Sequence, residues 1–195
     1  METASKKTIN LYLESNPNPD TLKFVANCML VPAGESYEFP TSASAVHAPL
    51  AKALFDFKYV SRVFYMSNFV TITKTEDVAW EAIQDELKTF IKAYLESDRP
   101  LLSKRAHKAD KQLAAQEDTA VVQRIKRTLD EYIKPVVEQD GGAITFYSFN
   151  EGTLKVLLQG SCKGCPSATV TLKAGIENLL KRIVPEVETV EAEGV

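Results

Sequence analysis

Two cysteines three positions apart, Cys162 and Cys165, lie between a strand-like stretch and a helix-like stretch. Residues 153–159 alternate apolar and polar side chains, which is typical of a strand, and residues 167–183 repeat with helical spacing. A chain with this pattern must place both thiols in a short loop that leads from a strand into a helix. We expect the rest of the second half to be organised around this loop.

The residues around the two thiols favour bound or reactive thiolates. Pro166 suits the first position of a helix, where its missing N–H is no loss, so Cys165 is expected close to the positive end of the helix dipole. Thiolates are stabilised in that position. Gly160 and Gly164 leave the backbone free to wrap closely around whatever the sulfurs hold, and Lys163 adds a positive charge to the loop.

The first half of the chain shows strand patterns and helix patterns in turn. They predict two strands, a helix, a hairpin and a second helix capped by Asp77, with the first five elements at residues 8–14, 21–26, 43–55, 60–65 and 69–74. Residues 32–40 are predicted as loop, and Pro49 implies that the first helix is kinked or begins at His47 or Ala48. The predicted order is ββαββα, a small sheet with helices on one face.

Residues 96–118 are polar, mixed in charge and poor in apolar side chains, so they are predicted as a linker. The predicted domains are therefore residues 1–95 and 119–195. The second domain is predicted to begin with a helix at residues 119–134, which Pro135 ends or bends, and a hairpin at residues 144–149 and 153–159. The cysteine loop at residues 160–166, a helix at residues 167–183 and a last strand at residues 187–191 follow. The fold class is α+β, with two small mixed domains of order ββαββα and αββαβ.

The charge balance excludes some classes of partner. A net charge of −3 and a pI near 5.5 are unlike a general nucleic-acid binder, which needs a basic face. No apolar run approaches the roughly 20 residues of a membrane span, and residues 1–7 resemble neither a signal peptide nor a transit peptide. We therefore expect a cytoplasmic protein with no nucleic-acid or membrane partner. Three cysteines do not form a disulfide framework, so a reducing compartment is expected.

Three kinds of chemistry compete for the cysteine pair. An inert role is disfavoured, because a polar loop is no apolar core. A thioredoxin-like redox pair would use a CxxC at a helix entry, but that fold places the motif near its start and not after a hairpin. A closed zinc site needs four ligands, and the other candidates, Cys28, His47 and His107, have no paired spacing. No general base, nucleophile constellation or phosphate-binding loop is visible, so the chain is predicted to be a non-enzyme.

An iron–sulfur cluster fits the pair best. An all-cysteine cluster takes about four thiolates, and two copies of the chain supply four. A two-fold axis places identical loops against each other, so the cluster would bridge two subunits at an exposed site. Such a site is easy to load and to empty, which suits a carrier. Lys163 would then offset the negative charge of the cluster or simply be solvated, and Cys28 is predicted to be a partly buried spectator.

Both halves of the sequence carry motifs of one family. The second half resembles the NifU-like C-terminal domain of Nfu-type iron–sulfur cluster scaffold and carrier proteins, through Asp140-Gly141-Gly142, Leu158-Gln159-Gly160, Cys162-x-x-Cys165-Pro166-Ser167 and Thr171 to Glu177. The first half resembles the Nfu N-terminal domain, through Asn16-Pro17-Asn18-Pro19, Leu22-Lys23-Phe24 and Ser44 to Phe55. The resemblance covers about residues 8–95 and 119–191.

The resemblance implies a cluster, [4Fe–4S] in preference to [2Fe–2S], on the paired Cys162 and Cys165 of a homodimer. It also implies upstream assembly proteins as donors and apo iron–sulfur proteins as recipients. The N-terminal domain has no cluster of Cys, His or carboxylate residues with site-like spacing, so we expect it to be a docking module that chooses recipients. One position departs from the family pattern. An acidic residue commonly follows the double glycine, whereas this chain has Ala143.

Overall fold

The computed structural model describes residues 8–103, 119–162 and 166–194. These residues form two compact units: the first is built from the first half of the chain without Asn16–Pro19, and the second joins Asn16–Pro19 to the second half. Within the described ranges, none of the helices combines the length and the hydropathy needed to cross a lipid bilayer. Most of residues 96–118 lie outside the description, so the predicted linker and the exact domain bounds stay predictions.

The first unit is a five-stranded antiparallel sheet with two helices. The strand order is β1-β2-β5-β4-β3, so hairpin partners are neighbours and the first strand lies at one edge. The elements along the chain are β1 Leu11–Ser15, β2 Thr21–Ala26, β3 Ser36–Phe39, α1 Pro49–Leu54, β4 Val60–Met66, β5 Phe69–Lys74 and α2 Trp80–Glu96.

The core of the first unit lies under α2, whose apolar residues recur at helical spacing. Ile83, Leu87 and Ile91 are spaced by four residues and are all buried, so they form one continuous stripe on the helix. They belong to the same apolar cluster as Phe24 and Tyr65 of the sheet. The prediction of this helix and of its inward face is confirmed.

Two predictions in the first unit are wrong, the cap of α2 and the loop at residues 32–40. Asp77 does not cap α2, because the N-cap position is Ala79 and no side chain accepts a hydrogen bond there. Residues 32–40 contain the strand β3, because Tyr37 and Phe39 turn inward and pair with Tyr65 and Val63 of β4. The first helix is not a kinked helix from residue 43 but begins at Pro49 with Ala48 as its N-cap, one residue after the later predicted start, because the proline ring fixes a helical φ but leaves no N–H to continue a preceding helix. The unit therefore has the order βββαββα.

The second unit packs helices against a three-stranded sheet of order β6-β7-β8. Strands β6 and β7 form an antiparallel hairpin, whereas β7 and β8 are parallel. Parallel neighbours need a long crossover, and the helix after the cysteine loop supplies it. The elements are α3 Ala120–Thr128, a π-helical turn Leu129–Ile133, α4 Lys134–Gln139, β6 Gly142–Asn150, β7 Thr153–Gly160, α5 Pro166–Ile183 and β8 Thr189–Gly194.

The first helical segment of this unit starts as predicted and ends later. The Thr119 hydroxyl accepts a hydrogen bond from the Val122 N–H at 3.3 Å, which caps the helix. The segment does not end at residue 134: a π-helical turn precedes Pro135, and α4 continues to Gln139. Proline lacks an N–H and its ring crowds the carbonyl four residues earlier, and the wider π turn accommodates both.

One apolar cluster joins the helices and the sheet of the second unit. It contains Ile125 and Leu129 from the first helical segment, Leu158 from β7 and Leu180 from α5, all buried. The buried thiol of Cys162 belongs to the same cluster. The cysteine loop is therefore attached directly to the core of its unit.

Candidate functional site

The cysteine loop leads from a strand into a helix, as the sequence predicts. Strand β7 ends at Gly160, whose φ of +68° lies in the left-handed region, and α5 begins at Pro166. Gly160 pairs with Gly142 at the start of β6. Lys163, Gly164 and Cys165 lie outside the described residues, so their predicted roles are untested.

Ser161 connects the loop to the turn before β6. Its N–H donates to the carbonyl of Gly141 at 3.3 Å, and its hydroxyl donates a short hydrogen bond to the carbonyl of Asp140. Gly141 has a φ of +79°, a conformation that glycine adopts without strain. Ser161 is only 2% exposed, so these bonds satisfy polar atoms that water does not reach.

The Cys162 thiol is buried, with 8% of the residue exposed. A Cβ atom placed on Gly142 would lie 2.8 Å from the Cys162 sulfur and 2.7 Å from the Gln159 carbonyl oxygen. The sulfur therefore occupies the space that a side chain at position 142 would fill. The expectation of an exposed site is wrong for Cys162, because the loop turns this residue inward onto the core.

Burial changes the acidity of this thiol. Loss of hydration raises the pKa of Cys162 to about 11 from an ordinary 9.0, the Asp140 carboxylate adds to the rise, and the Ser161 hydroxyl opposes it. The thiol is consequently protonated at neutral pH. The helix-dipole argument concerns Cys165 and does not apply to Cys162 as it is placed here.

The candidate ligands Cys28 and His47 belong to the first unit, whereas Cys162 belongs to the second. Cys28 is a free thiol that is partly buried, as predicted, and packs against the core of the first unit, and its role as a spectator stays a prediction. His47 is exposed in the turn before α1, and His107 lies outside the described residues. Across residues 8–103, 119–162 and 166–194, no three His, Cys, Asp or Glu side chains form a group that could hold a metal ion.

Ala143, which departs from the family pattern, is the second residue of β6. It is buried and pairs with Gln159 of β7. An acidic side chain at this buried position would need a hydrogen-bonding or charged partner. The described residues close to the loop thus use a small apolar side chain where the family commonly has a carboxylate.

Comparisons with known proteins match both halves of the chain. Residues 11–98 match the model of the "Scaffold protein Nfu/NifU N terminal" family, and residues 125–191 match the "NifU-like domain". The chain is 39% identical over 191 residues to "NFU1 iron-sulfur cluster scaffold homolog, mitochondrial" from Drosophila persimilis, which covers 98% of this chain and 67% of that protein. The chain belongs to the Nfu/NifU family.

A second relative gives the same result for this Nfu/NifU chain. The protein of the same name from Drosophila willistoni is 40% identical over 186 residues, which is 95% of the chain and 64% of the relative. The chain thus spans about two thirds of the length of these curated relatives. The family resemblance and the α+β fold of two mixed units predicted from the sequence are confirmed.

Sequence reasoning missed two residues of the site. The resemblance marks Asp140-Gly141-Gly142 as a motif but not the role of Gly142, which provides the space for the Cys162 sulfur. Ser161 was passed over as a loop residue, although its two hydrogen bonds connect the loop to that turn. The available signal was the pair of adjacent glycines, since two in succession often mark a close approach of another group.

Proposed function

We propose that this Nfu/NifU protein is an iron–sulfur cluster scaffold and carrier that binds its cluster through Cys162 and Cys165. The observation that carries the proposal is a free thiol in a strand-to-helix loop, in a chain related over nearly its whole length to proteins named as iron–sulfur cluster scaffold homologs. The cluster is the cargo of such a protein and not a resident cofactor.

The donor set of the loop fits such a cargo if two copies take part. Thiolates are the ligands that iron–sulfur clusters prefer, and an all-cysteine cluster takes four. The CxxC motif supplies two, and the described residues offer no further group of metal ligands. A homodimer with a two-fold axis brings both loops together and completes the set.

The finer parts of the proposal follow from the family resemblance. The cluster is [4Fe–4S] in preference to [2Fe–2S], upstream assembly proteins supply it, and apo iron–sulfur proteins receive it. Binding and transfer need no catalytic constellation, so the chain acts as a carrier and not as an enzyme. The cytoplasmic location stays a prediction of the sequence.

Anaerobic reconstitution with iron and sulfide tests the proposal. The wild-type chain is expected to gain a broad absorption band near 400 nm, roughly where thiolate-bound iron–sulfur centres absorb. It should bind about one cluster per two chains and elute as a dimer, as four thiolates from two copies require. Cys162→Ser and Cys165→Ser should each abolish the band, and Cys28→Ser is the matched control that should load like the wild type.

Two results would count against this function. One is a chromophore that survives both Cys162→Ser and Cys165→Ser. The other is a colourless monomer whose Cys162 and Cys165 cycle between dithiol and disulfide, which would instead indicate a thioredoxin-like redox protein. Turnover of a disulfide substrate by the monomer would separate that protein from a carrier.

A further inference from the structure

We propose that Gly142 is a positioning residue for the cluster ligand Cys162: its missing side chain creates a seat that holds the sulfur inside the core until iron is bound. The inference rests on the proposed function for its purpose. The physical claim, that Gly142 leaves a space in which the Cys162 thiol is buried, can be tested separately in the chain without iron.

The distances at Gly142 define the seat. An added Cβ would lie 2.8 Å from the Cys162 sulfur and 2.7 Å from the Gln159 carbonyl oxygen, whereas non-bonded heavy atoms are at their optimum near roughly 3.5–4.0 Å. The Gln159 oxygen is part of the backbone of β7 and cannot rotate away. Any side chain at position 142 must therefore displace the sulfur, the strand or both.

Hydrogen bonds around the sulfur keep the seat closed. Gly142 pairs with Gly160 across the hairpin, and Ser161 donates to the carbonyls of Gly141 and Asp140. Ser161 immediately precedes Cys162, so these bonds fix the backbone from which the thiol projects. The sulfur then packs into the apolar cluster of the second unit.

A Cys162 sulfur that is buried beside Gly142 cannot bind a cluster that bridges two chains. With 8% of the residue exposed, Cys162 presents almost none of its surface outward, and an iron atom shared with a second copy must approach from outside the chain. A cluster shared with a second copy therefore requires the Cys162 sulfur to leave the space beside Gly142 and turn outward. Loading then costs core contacts, which favours later release of the cluster.

The rate of thiol alkylation measures the seat without iron. In the full chain carrying Cys28→Ser and Cys165→Ser, Cys162 is the single thiol, and its reaction with iodoacetamide at constant pH can be followed by mass spectrometry. The native chain is expected to react at least ~10-fold more slowly than the same chain in guanidinium chloride, because a buried group reacts only through opened states.

Substitution of Gly142 in this single-thiol chain should release the sulfur. Gly142→Ala is expected to raise the alkylation rate about 10-fold or more, because the Cys162 sulfur is then exposed in the folded chain and needs no opening of the structure to react. Gly175→Ala is the matched control, since a Cβ there meets no atom within 4 Å, and its rate should equal that of the parent. Circular dichroism establishes whether each variant is folded.

Ser161→Ala gives a second route if Gly142→Ala does not fold. It adds no atoms but removes the hydrogen bond to the Asp140 carbonyl. Loss of the hydroxyl also raises the pKa of Cys162, so the rate is compared with that of each chain in guanidinium chloride, and a smaller ratio of denatured to native rate than in the parent is expected. The proposal is overturned if the native parent reacts as fast as the denatured chain. It is also overturned if the folded Gly142→Ala chain reacts no faster than the parent, or if Ser161→Ala in its place shows no smaller ratio of denatured to native rate than the parent.

Cluster loading distinguishes this inference from the proposed function. With both loop cysteines restored, Gly142→Ala is expected to load iron and sulfide faster than Gly175→Ala, since its sulfur already lies outside the seat. Failure of every variant, including wild type, to load a cluster would remove the proposed function but leave the alkylation result intact. Equal loading rates in the two folded variants would contradict the role of the seat in loading.

Discussion

Replacing Cys162 should change how the stability of the second unit depends on pH. The folded protein holds the pKa of this thiol at about 11, compared with 9.0 when it is hydrated. At 1.36 kcal/mol per pKa unit, this difference corresponds to about 3 kcal/mol of folding free energy. Because the residue is 8% exposed, solvent screening reduces that value little.

The direction of the pH effect on stability depends on whether the folded or the unfolded state binds the thiol proton more tightly. The folded state has the higher pKa, so the contribution of the neutral thiol to stability is fully present below pH 9 and is lost as the pH rises through about 11. Between pH 8 and pH 10.5, the wild type should lose about 2 kcal/mol relative to Cys162→Ala. The alanine variant is less stable at pH 8, because it leaves a void, but it lacks this slope.

Urea unfolding of both proteins at the two pH values, with a phosphine reductant, measures the effect. With an m-value of about 1–2 kcal/mol/M, the loss corresponds to a relative shift of about 1–2 M in the urea midpoint. Far-UV circular dichroism reports both units, whereas the fluorescence of Trp80, the single tryptophan, reports the first unit and serves as an internal control. The lysines and tyrosines are common to both proteins, so their titration cancels.

Burial of a neutral Cys162 thiol is contradicted if the difference in unfolding free energy between wild type and Cys162→Ala is the same at pH 8 and pH 10.5. That result would mean that the thiol is hydrated in solution and that the seat beside Gly142 is empty or open. A slope of opposite sign would mean that the folded state stabilises the thiolate.

Two further predictions concern α5 and the strand beside it. Leu180 is fully buried at 0% exposure, so Leu180→Ala should reduce the unfolding free energy by about 2–5 kcal/mol. The control Val170→Ala, on the exposed face of the same helix, should change it very little. Equal urea midpoints for the two variants would show that Leu180 is not packed in the core. The Lys181 side chain and then the Val190 N–H lower the pKa of Glu177, so its contribution to stability is present above pH 4.5 and lost as the pH falls further. The stability of Glu177→Gln, measured by circular dichroism, should therefore fall less between pH 5 and pH 3 than that of the wild type. An equal loss of stability in the two proteins would contradict these contacts.

Elements with strong local periodicity could be predicted from the sequence. Helix α2 and strand β2 lie where the pattern places them. The apolar residues of α2 recur with helical spacing and are buried, and all six residues of β2 are buried. Helix α5 likewise begins at Pro166, where a proline is tolerated without loss of a hydrogen bond. In these segments the local sequence and the packing agree.

Elements that depend on distant partners could not be predicted. Strand β3 has four residues and is a strand because it pairs with β4, about 27 residues further along the chain. The helical segment continues beyond Pro135 because a π turn absorbs the proline and Val137 reaches the core. Neither result follows from the local pattern, since both are decided by contacts made after the chain has folded.

The family could be recognised from residue identity and order alone, because its motifs are local stretches of sequence in both halves of the chain. The same local order places two thiols, Cys162 and Cys165, between a strand pattern and a helix pattern. The state of the first thiol, in contrast, depends on contacts between distant residues. Gly142 lies 20 residues earlier in the chain, yet its missing side chain makes the space in which the Cys162 sulfur is buried and kept neutral, since close packing leaves no such space beside any larger residue.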